Sequence, residues 1–213
     1  MTRTATGMPA NVARAATVAG VWSQLADPAD PLHVAEVVTA ARAARPRAGA
    51  VRVVAIDGPS GSGKTTLAAG VAEALACPVA HMDEIFPGWD GLAPAVDLVT
   101  AQVLEPLARG GQAAYRVWDW TDQHWGRTIT VPHNPFLVLE GCGSSVGAAG
   151  RYAALRVWVE AGRDERMRRG IARDGATYAP FWERWAAQED AVFGADHTRE
   201  RADLIIDTSG LDV

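Results

Sequence analysis

The stretch Gly58-Pro59-Ser60-Gly61-Ser62-Gly63-Lys64-Thr65 decides the fold of this 213-residue chain. It fits the pattern G-x-x-x-x-G-K-S/T and lies between the apolar run 51–56 and an amphipathic segment, as a phosphate-binding loop requires. Its glycines allow a tight turn in which backbone N–H groups and the next helix N-terminus point at phosphate oxygens. We expect this stretch and Thr66 to bind nucleotide phosphates, with Lys64 at the β- and γ-phosphates and the Thr65 hydroxyl on Mg²⁺. The alternative is a Gly/Ser-rich surface turn that matches by chance.

Outward from this loop, short apolar runs alternate with helical patterns. The runs are continuous, as strands buried on both faces must be. They lie at 51–56, 78–82, 136–139, 155–159 and 204–206. Helices are predicted at 64–76 and 94–109, where apolar residues recur every three to four positions. Five strands with intervening helices predict an α/β fold with a doubly wound parallel sheet, whose ligands bind at the carboxyl ends of the strands.

The chain is expected to form one domain, 1–213, because it shows no internal repeat and no linker. Residues 1–48 are interpreted as an N-terminal helical extension, with helices at 11–25 and 31–46. Residues 49–213 would form the nucleotide-binding core.

The composition argues against several classes of partner. Lys and Arg number 20 against 25 Asp and Glu, and the net charge of −5 disfavours a generic binder of nucleic acid or membrane surfaces. No stretch has the length and apolar character of a signal peptide or a membrane span. The two cysteines, Cys77 and Cys142, form no disulfide framework or metal-ligand cluster. We therefore expect a reduced, cytoplasmic protein that binds neither nucleic acid nor membrane.

Two acidic residues follow predicted strands beside the loop. Asp83 follows 78–82, and Glu140 follows 136–139. A carboxylate at such a strand end can hold the Mg²⁺ shell or take a proton from an attacking hydroxyl, so both acids join Thr65 as candidate metal residues and Asp83 is also the candidate base. The alternative for either is a solvated strand-end acid. His81 is expected to pack or cap, because nothing pairs with it at metal-ligand spacing.

Arginines cluster in the segment that follows the fourth predicted strand. Arg166, Arg169 and Arg173 are spaced at i, i+3 and i+7, so a helix would place all three on one face. We interpret 163–185 as a lid whose arginines close on the transferring phosphoryl group. Because acidic residues are interspersed, the alternative is a salt-bridged, solvated helix.

Aromatic residues crowd the segment between the second and third predicted strands. The interpretation is a pocket that stacks a flat ring and hydrogen-bonds its edge, since acidic and basic residues are interleaved. The alternative is a Trp-rich packing cluster. The aromatic residues are Phe86, Trp89, Tyr115, Trp118, Trp120 and Trp125, and the polar ones are Asp119, His124 and Arg127.

Together these motifs resemble the uridine kinase-like branch of the P-loop kinases over about 51–207. The motifs are GPSGSGKTT, HMDEIF, WDW with His124 and Arg127 after it, LEG, and RMRRGIARD. The resemblance implies phosphorylation of a hydroxyl with ATP and Mg²⁺ as cofactors, and it puts Asp83 in the place of the catalytic base. It also implies that Asp119 and His124 lie on the substrate side and that Arg169 and Arg173 belong to the lid. The family's usual pattern Asp-Ser/Asp-Phe-Tyr is here Asp83-Glu84-Ile85-Phe86, so the tyrosine is missing.

The sequence thus predicts a small kinase that uses MgATP to phosphorylate a nucleoside or a similar small molecule. Lys64, Asp83, Arg169 and Arg173 are the predicted catalytic residues. The predicted substrate residues are Trp89, Tyr115, Asp119, Trp120, His124 and Arg127. One alternative is a nucleoside-monophosphate kinase, for which Arg116 and Arg127 could clamp the acceptor phosphate. Another is a nucleotide-dependent switch or regulatory ATPase, although the chain lacks the Asn-Lys-x-Asp pattern that reads guanine.

Overall fold

The apolar runs form strands in a computed structural model of the protein, which describes residues 29–174 and 178–211. The helix expected at 11–25 lies outside these residues, as does part of the predicted lid, 175–177. The strands are β1 (Arg52–Asp57), β2 (Val79–His81), β3 (Ala114–Asp119), β4 (His124–Thr130), β5 (Phe136–Glu140), β6 (Ala153–Glu160) and β7 (Leu204–Asp207).

Five of these strands build one parallel sheet in the order β2-β5-β1-β6-β7. The predicted doubly wound parallel α/β sheet is therefore confirmed, and each of its strands coincides with one of the apolar runs. β1 lies in the centre, and its register places Ile56 beside Glu140 of β5 and Asp57 beside Trp158 of β6. The carboxyl ends of β1, β2 and β5 consequently meet at one edge, where the phosphate loop begins.

Helices cover both faces of the sheet. They are α1 (Pro31–Ala43), α2 (Lys64–Leu75), α3 (Leu92–Val99), α4 (Glu105–Ala108), α5 (Gly147–Tyr152), α6 (Arg163–Asp174) and α7 (Trp182–Asp196). The helix expected at 94–109 is observed as α3 and α4 joined by a π-helical segment, Thr100–Leu104. In the part of the chain that the structure describes, no helix is both long and apolar enough to cross a membrane.

The core has two layers, one on each side of the sheet. On one side α1 and α2 pack their buried Val37, Val38, Leu67 and Val71 against alternate residues of β1, β5, β6 and β7. On the other side α3, α5 and α7 pack together with β3 and the turn after β2. The second layer includes the aromatic segment that the sequence predicts to form a substrate pocket.

The segment 114–130 corrects the sequence interpretation, which predicted no strand there. β3 and β4 pair as an antiparallel hairpin, separate from the main sheet. Along β3 buried and exposed side chains alternate, because Tyr115 and Val117 are buried while Arg116 is exposed. β4 faces solvent along most of its length, so its polar residues hide the two-residue period by which a strand is recognised.

Candidate nucleotide and acceptor site

The predicted phosphate loop joins β1 directly to α2. Gly63, in the left-handed conformation with φ of 88°, is the N-cap of α2, so the helix begins at Lys64. Gly61 also has a positive φ of 76°, and a Cβ there would lie 2.2 Å from the carbonyl oxygen of Arg166. The loop therefore needs glycine both to turn and to pass beside α6. It delivers a helix N-terminus to the edge where β1 and β5 end, which is a geometry suited to anions.

Lys64 is the only lysine of the chain, so 19 of its 20 Lys and Arg residues are arginine. Its Nζ donates to the carbonyl oxygen of Pro59 at 2.8 Å, which folds the side chain back over the loop. The residue is only 7% exposed. A lysine ammonium is a compact point charge on a flexible stem, unlike the planar guanidinium that the chain uses everywhere else. This single exception lies where a phosphate-binding loop needs such a charge.

Thr65 and Glu140 lie next to each other beside the loop. The Thr65 Oγ1 and Glu140 Oε2 atoms are 3.5 Å apart, and the Glu140 carboxylate is buried. Within residues 29–174 and 178–211, no three His, Cys, Asp or Glu side chains are grouped as in a dedicated metal cage. Mg²⁺ is commonly held by one or two carboxylates together with substrate phosphates, so a hydroxyl and a carboxylate beside a phosphate loop fit this ion.

His81, which the sequence predicts to pack or cap, forms a hydrogen bond with the buried Glu140. Its Nδ1 lies 2.6 Å from Glu140 Oε1, across the adjacent strands β2 and β5. Burial alone would lower the pKa of His81, but the hydrogen bond to Glu140 and the charges of Glu140, Glu84 and Asp83 raise it overall. Burial would raise the pKa of Glu140, yet the His81 bond and the charges of His81, Lys64 and Arg173 lower it. The carboxylate thus stays ionised, as a metal ligand must.

Asp83 lies two residues beyond the end of β2, in the 3₁₀ turn Met82–Glu84, and is half-buried. Its negative charge helps to raise the pKa of His81 and that of the Cys142 thiol. The indole Nε1 of Trp120 donates to the Asp83 carbonyl oxygen at 2.9 Å. The hairpin is thereby joined to the backbone that carries the candidate base.

Tyr115 and Glu84 form a buried pair behind this turn. The Tyr115 hydroxyl donates to Glu84 Oε2 at 2.5 Å, and both residues are at most 3% exposed. Burial raises the pKa of Tyr115, and the charge of Glu84 adds to the effect. This position favours the packing alternative for Tyr115, because the ring is part of the core rather than of an open surface.

Trp89 is the centre of an aromatic cluster that joins the loop after Glu84 to the predicted lid. Its ring stacks on Phe181 with centroids 4.4 Å apart and lies 4.8 Å from the Trp120 ring. Gln188 of α7 donates to the Trp89 carbonyl oxygen at 2.8 Å, and Arg184 of α7 pairs with Asp90. The second half of the lid segment is therefore packed on the loop that follows Asp83.

The remaining predicted substrate residues lie on the hairpin. Asp119 and His124 face each other across the turn, and the Asp119 carboxylate accepts from the backbone N–H groups of Thr121 and Asp122. Those two bonds lower the pKa of Asp119. Arg127 of β4 is exposed, and its positive charge opposes the raised pKa of Tyr115. Asp119 thus has a structural role at the turn, where its carboxylate accepts backbone hydrogen bonds.

The three arginines of α6 have different surroundings. Arg166 donates to the carbonyl oxygen of Ser60 in the phosphate loop at 3.2 Å. Arg169 is bound by Glu165 at 2.6 Å and by the carbonyl oxygens of Thr208 and Leu211 at 3.0 and 2.6 Å. Arg173 is exposed, and its charge contributes to the lowered pKa of Glu140. The predicted helix is confirmed, and the contacts of Arg169 favour a structural role for that residue, whereas the charge of Arg173 acts on Glu140.

Substitution of these arginines should separate the two roles. Arg169→Ala should lower the free energy of unfolding by about 2 kcal/mol, since it breaks buried bonds to a charged group, and this lowers the Tm by about 4–8 °C. Arg173→Ala should instead lower kcat about tenfold, the effect of losing one charge-assisted hydrogen bond in the transition state. Arg168→Ala is the matched control, because that side chain is 74% exposed. Equal melting temperatures and equal kcat values for all three variants would contradict both assignments.

Two buried acids at the loop were not singled out from the sequence. Asp57 ends β1 and is fully buried, and its carboxylate accepts from the backbone N–H groups of Gly58, Gly143 and Ser145, each at 2.8 Å. Glu189 of α7 accepts from the Ser60 N–H at 2.7 Å. Burial raises the pKa of Asp57, although these hydrogen bonds oppose the shift. An acid that ends an apolar run was the available signal for Asp57; nothing in the pattern of α7 marked Glu189.

The described fold is similar to the folds of solved structures described as possible kinases. A possible uridine kinase from Bacillus stearothermophilus is 22% identical, with a TM-score of 0.60 over 82% of this chain and 97% of that one. A protein proposed to be a fructose transport system kinase from Silicibacter sp. TM1040 is 18% identical, with a TM-score of 0.50 over 81% of this chain and 98% of that one. No family model and no curated protein matches the sequence. The chain therefore has the fold of the P-loop kinases, which confirms the resemblance at the level of fold.

Proposed function

We propose that the protein transfers the γ-phosphoryl group of ATP to a hydroxyl of a nucleoside or a similar small molecule. The observation that carries the proposal is the contact of Thr65 with Glu140 beside Lys64, with Asp83 two residues after His81, the hydrogen-bond partner of Glu140. A phosphate loop alone would suit any nucleotide-binding protein. The added carboxylate on the acceptor side favours transfer to a hydroxyl, which has a proton to lose.

Each residue of the loop edge has a defined task in this proposal. Residues 58–66 bind the phosphates through backbone N–H groups and the N-terminus of α2, and Lys64 reaches the β- and γ-phosphates. Thr65 and Glu140 would hold Mg²⁺, which when bound neutralises charge on the phosphates. Asp83 orients the acceptor hydroxyl and accepts its proton. Arg173 adds positive charge as the phosphoryl group moves.

The acceptor class is inferred from the surfaces next to Asp83. Trp89 and Trp120 are half-buried aromatic side chains in contact with each other, and Trp120 is bonded to the backbone of Asp83. A flat ring can stack on such surfaces, and the polar groups of the hairpin can recognise its substituents. A nucleoside combines a flat ring with primary and secondary hydroxyls, so it is the acceptor that these features fit best.

A panel of acceptors tests the proposed reaction. ADP release is measured by a coupled assay with MgATP and single nucleosides, nucleoside monophosphates, sugars or vitamins. We expect release to depend on a nucleoside-like acceptor and to be near background without one. Release that is as fast without any acceptor would favour the regulatory ATPase, whereas release only with a monophosphate would favour the nucleoside-monophosphate kinase.

Trp120→Ala should weaken acceptor binding selectively. The loss of a stacking surface costs about 1–3 kcal/mol per nucleobase, so the acceptor KM should rise at least about fivefold while the ATP Kd stays unchanged. Trp125→Ala is the control of the same type, because Trp125 packs on Trp118 on the hairpin. An equal loss of Tm in both variants, with no change in KM, would show that Trp120 only packs.

A further inference from the structure

We propose that His81 is a positioning residue that fixes the Glu140 carboxylate for metal binding. The inference rests on the proposed function, because it takes Glu140 as a residue of the Mg²⁺ shell. It assigns to His81 a role that acts through Glu140 rather than through contact with the nucleotide or the acceptor.

The backbone around this pair is fixed by close packing. His81 and Glu140 are Cα partners in the parallel pair β2–β5, so their side chains leave the same face of the sheet side by side. Immediately beyond them, a Cβ on Gly141 would lie 2.7 Å from the Cβ of Met82. The backbone at Gly141 therefore packs closely against Met82, and the strand pairing holds the backbones of His81 and Glu140 side by side.

His81 restrains the side chain of Glu140. The two carboxylate oxygens of Glu140 have different neighbours, since Oε1 is 2.6 Å from His81 Nδ1 and Oε2 is 3.5 Å from Thr65 Oγ1. An ionised carboxylate only accepts hydrogen bonds, so Nδ1 is the donor of this pair. Rotation that turned Oε2 away from Thr65 would break the His81 bond. The imidazole thus keeps one oxygen occupied and the other directed at the loop hydroxyl.

The surroundings of the pair make this contact hard to replace. The side chains of His81 and Glu140 are 14% and 3% exposed, so bulk water has little access to Oε1. A buried carboxylate oxygen that loses its donor either reorients or stays unsatisfied. Outer-shell partners of this kind typically change metal affinity or activity by about 10–100-fold when they are removed.

The experiment measures metal binding without turnover. Mn²⁺ binding to the protein–ADP complex is followed by the loss of the free-ion electron paramagnetic resonance signal, and ADP binding is measured separately in EDTA. His81→Ala should weaken Mn²⁺ binding about tenfold with the ADP affinity in EDTA unchanged. His81→Asn, whose amide nitrogen can take the place of Nδ1, should recover most of the loss. His133→Ala is the control, because His133 is exposed and precedes the amino end of β5, whereas Glu140 lies at the carboxyl end of that strand.

The outcomes separate this inference from the proposed function. If the wild-type protein binds Mn²⁺ with ADP and His81→Ala binds it equally well, His81 is not a positioning residue, while the proposed function stands. Equal weakening in His81→Ala and His81→Asn, together with equal losses of Tm, would reduce His81 to a packing residue and overturn the inference. If the wild-type protein binds neither ADP nor Mn²⁺ with ADP, the proposed function fails and the inference fails with it.

Discussion

Lys64→Ala is expected to lower the rate of phosphoryl transfer by about 10³-fold or to below detection, because it removes the ammonium that meets the charge on the β- and γ-phosphates. The fold should survive, because the hydrogen bond that is lost with Lys64 Nζ is local and joins two residues of the same loop. The measurements are kcat and Tm for the wild-type protein and for Lys64→Ala. Lys64→Arg is the matched variant, and it should also fail, because a guanidinium is larger, planar and differently hydrated.

The single lysine allows a second measurement that does not depend on an acceptor. An amine-selective acetylating reagent can modify one side-chain ammonium in this chain, that of Lys64. MgATP should protect it, as seen by mass spectrometry of the peptide that contains Lys64. Near wild-type turnover of folded Lys64→Ala, or acetylation at the same rate with and without MgATP, would contradict the assignment of the loop.

Asp83→Asn is expected to lower kcat by about 10² or more, the usual size of a general-base contribution, with the ATP Kd unchanged. The amide keeps the shape of the side chain but cannot accept the proton of the acceptor hydroxyl. Asp90→Asn is the control from the same loop, because Asp90 is exposed and paired with Arg184.

Two results would change the role of Asp83. A loss of less than about threefold would make Asp83 a spectator and would favour the monophosphate acceptor, which needs no base. Recovery of kcat at high Mg²⁺ would instead move Asp83 from the base to the metal shell. Both results can be read from one experiment, in which kcat of the wild type and of Asp83→Asn is measured as a function of Mg²⁺ concentration.

The sheet could be predicted from the sequence because each of its strands is buried on both faces. Such strands are continuous apolar runs, and the loop motif fixes which run comes first and where the ligand edge lies. The hairpin could not be predicted in the same way, since β4 has one face in solvent and its residues include His124, Arg127 and Thr128. The spatial order of the strands also depends on contacts between distant segments, which no local pattern encodes.

The site was predictable where the backbone dictates it. The loop, Thr65 and Glu140 follow from strand ends and motif spacing, and they come together as expected. The pairing of His81 with Glu140 joins segments 59 residues apart. The split between Arg169 and Arg173 depends on where the C-terminal residues lie beside α6. The helical spacing of the two arginines predicts that they share one face of α6. It does not predict which residues of other segments each arginine contacts.

The most direct test of the proposed reaction follows the γ-phosphoryl group itself. The protein is incubated with γ-³²P-labelled ATP, Mg²⁺ and a mixture of nucleosides, and the products are separated into organic phosphates and inorganic phosphate. We expect the label in an acid-stable phosphate ester with the wild-type protein and none there with Lys64→Ala. Label that appears only as inorganic phosphate, at a rate independent of the nucleosides, would contradict transfer to a hydroxyl.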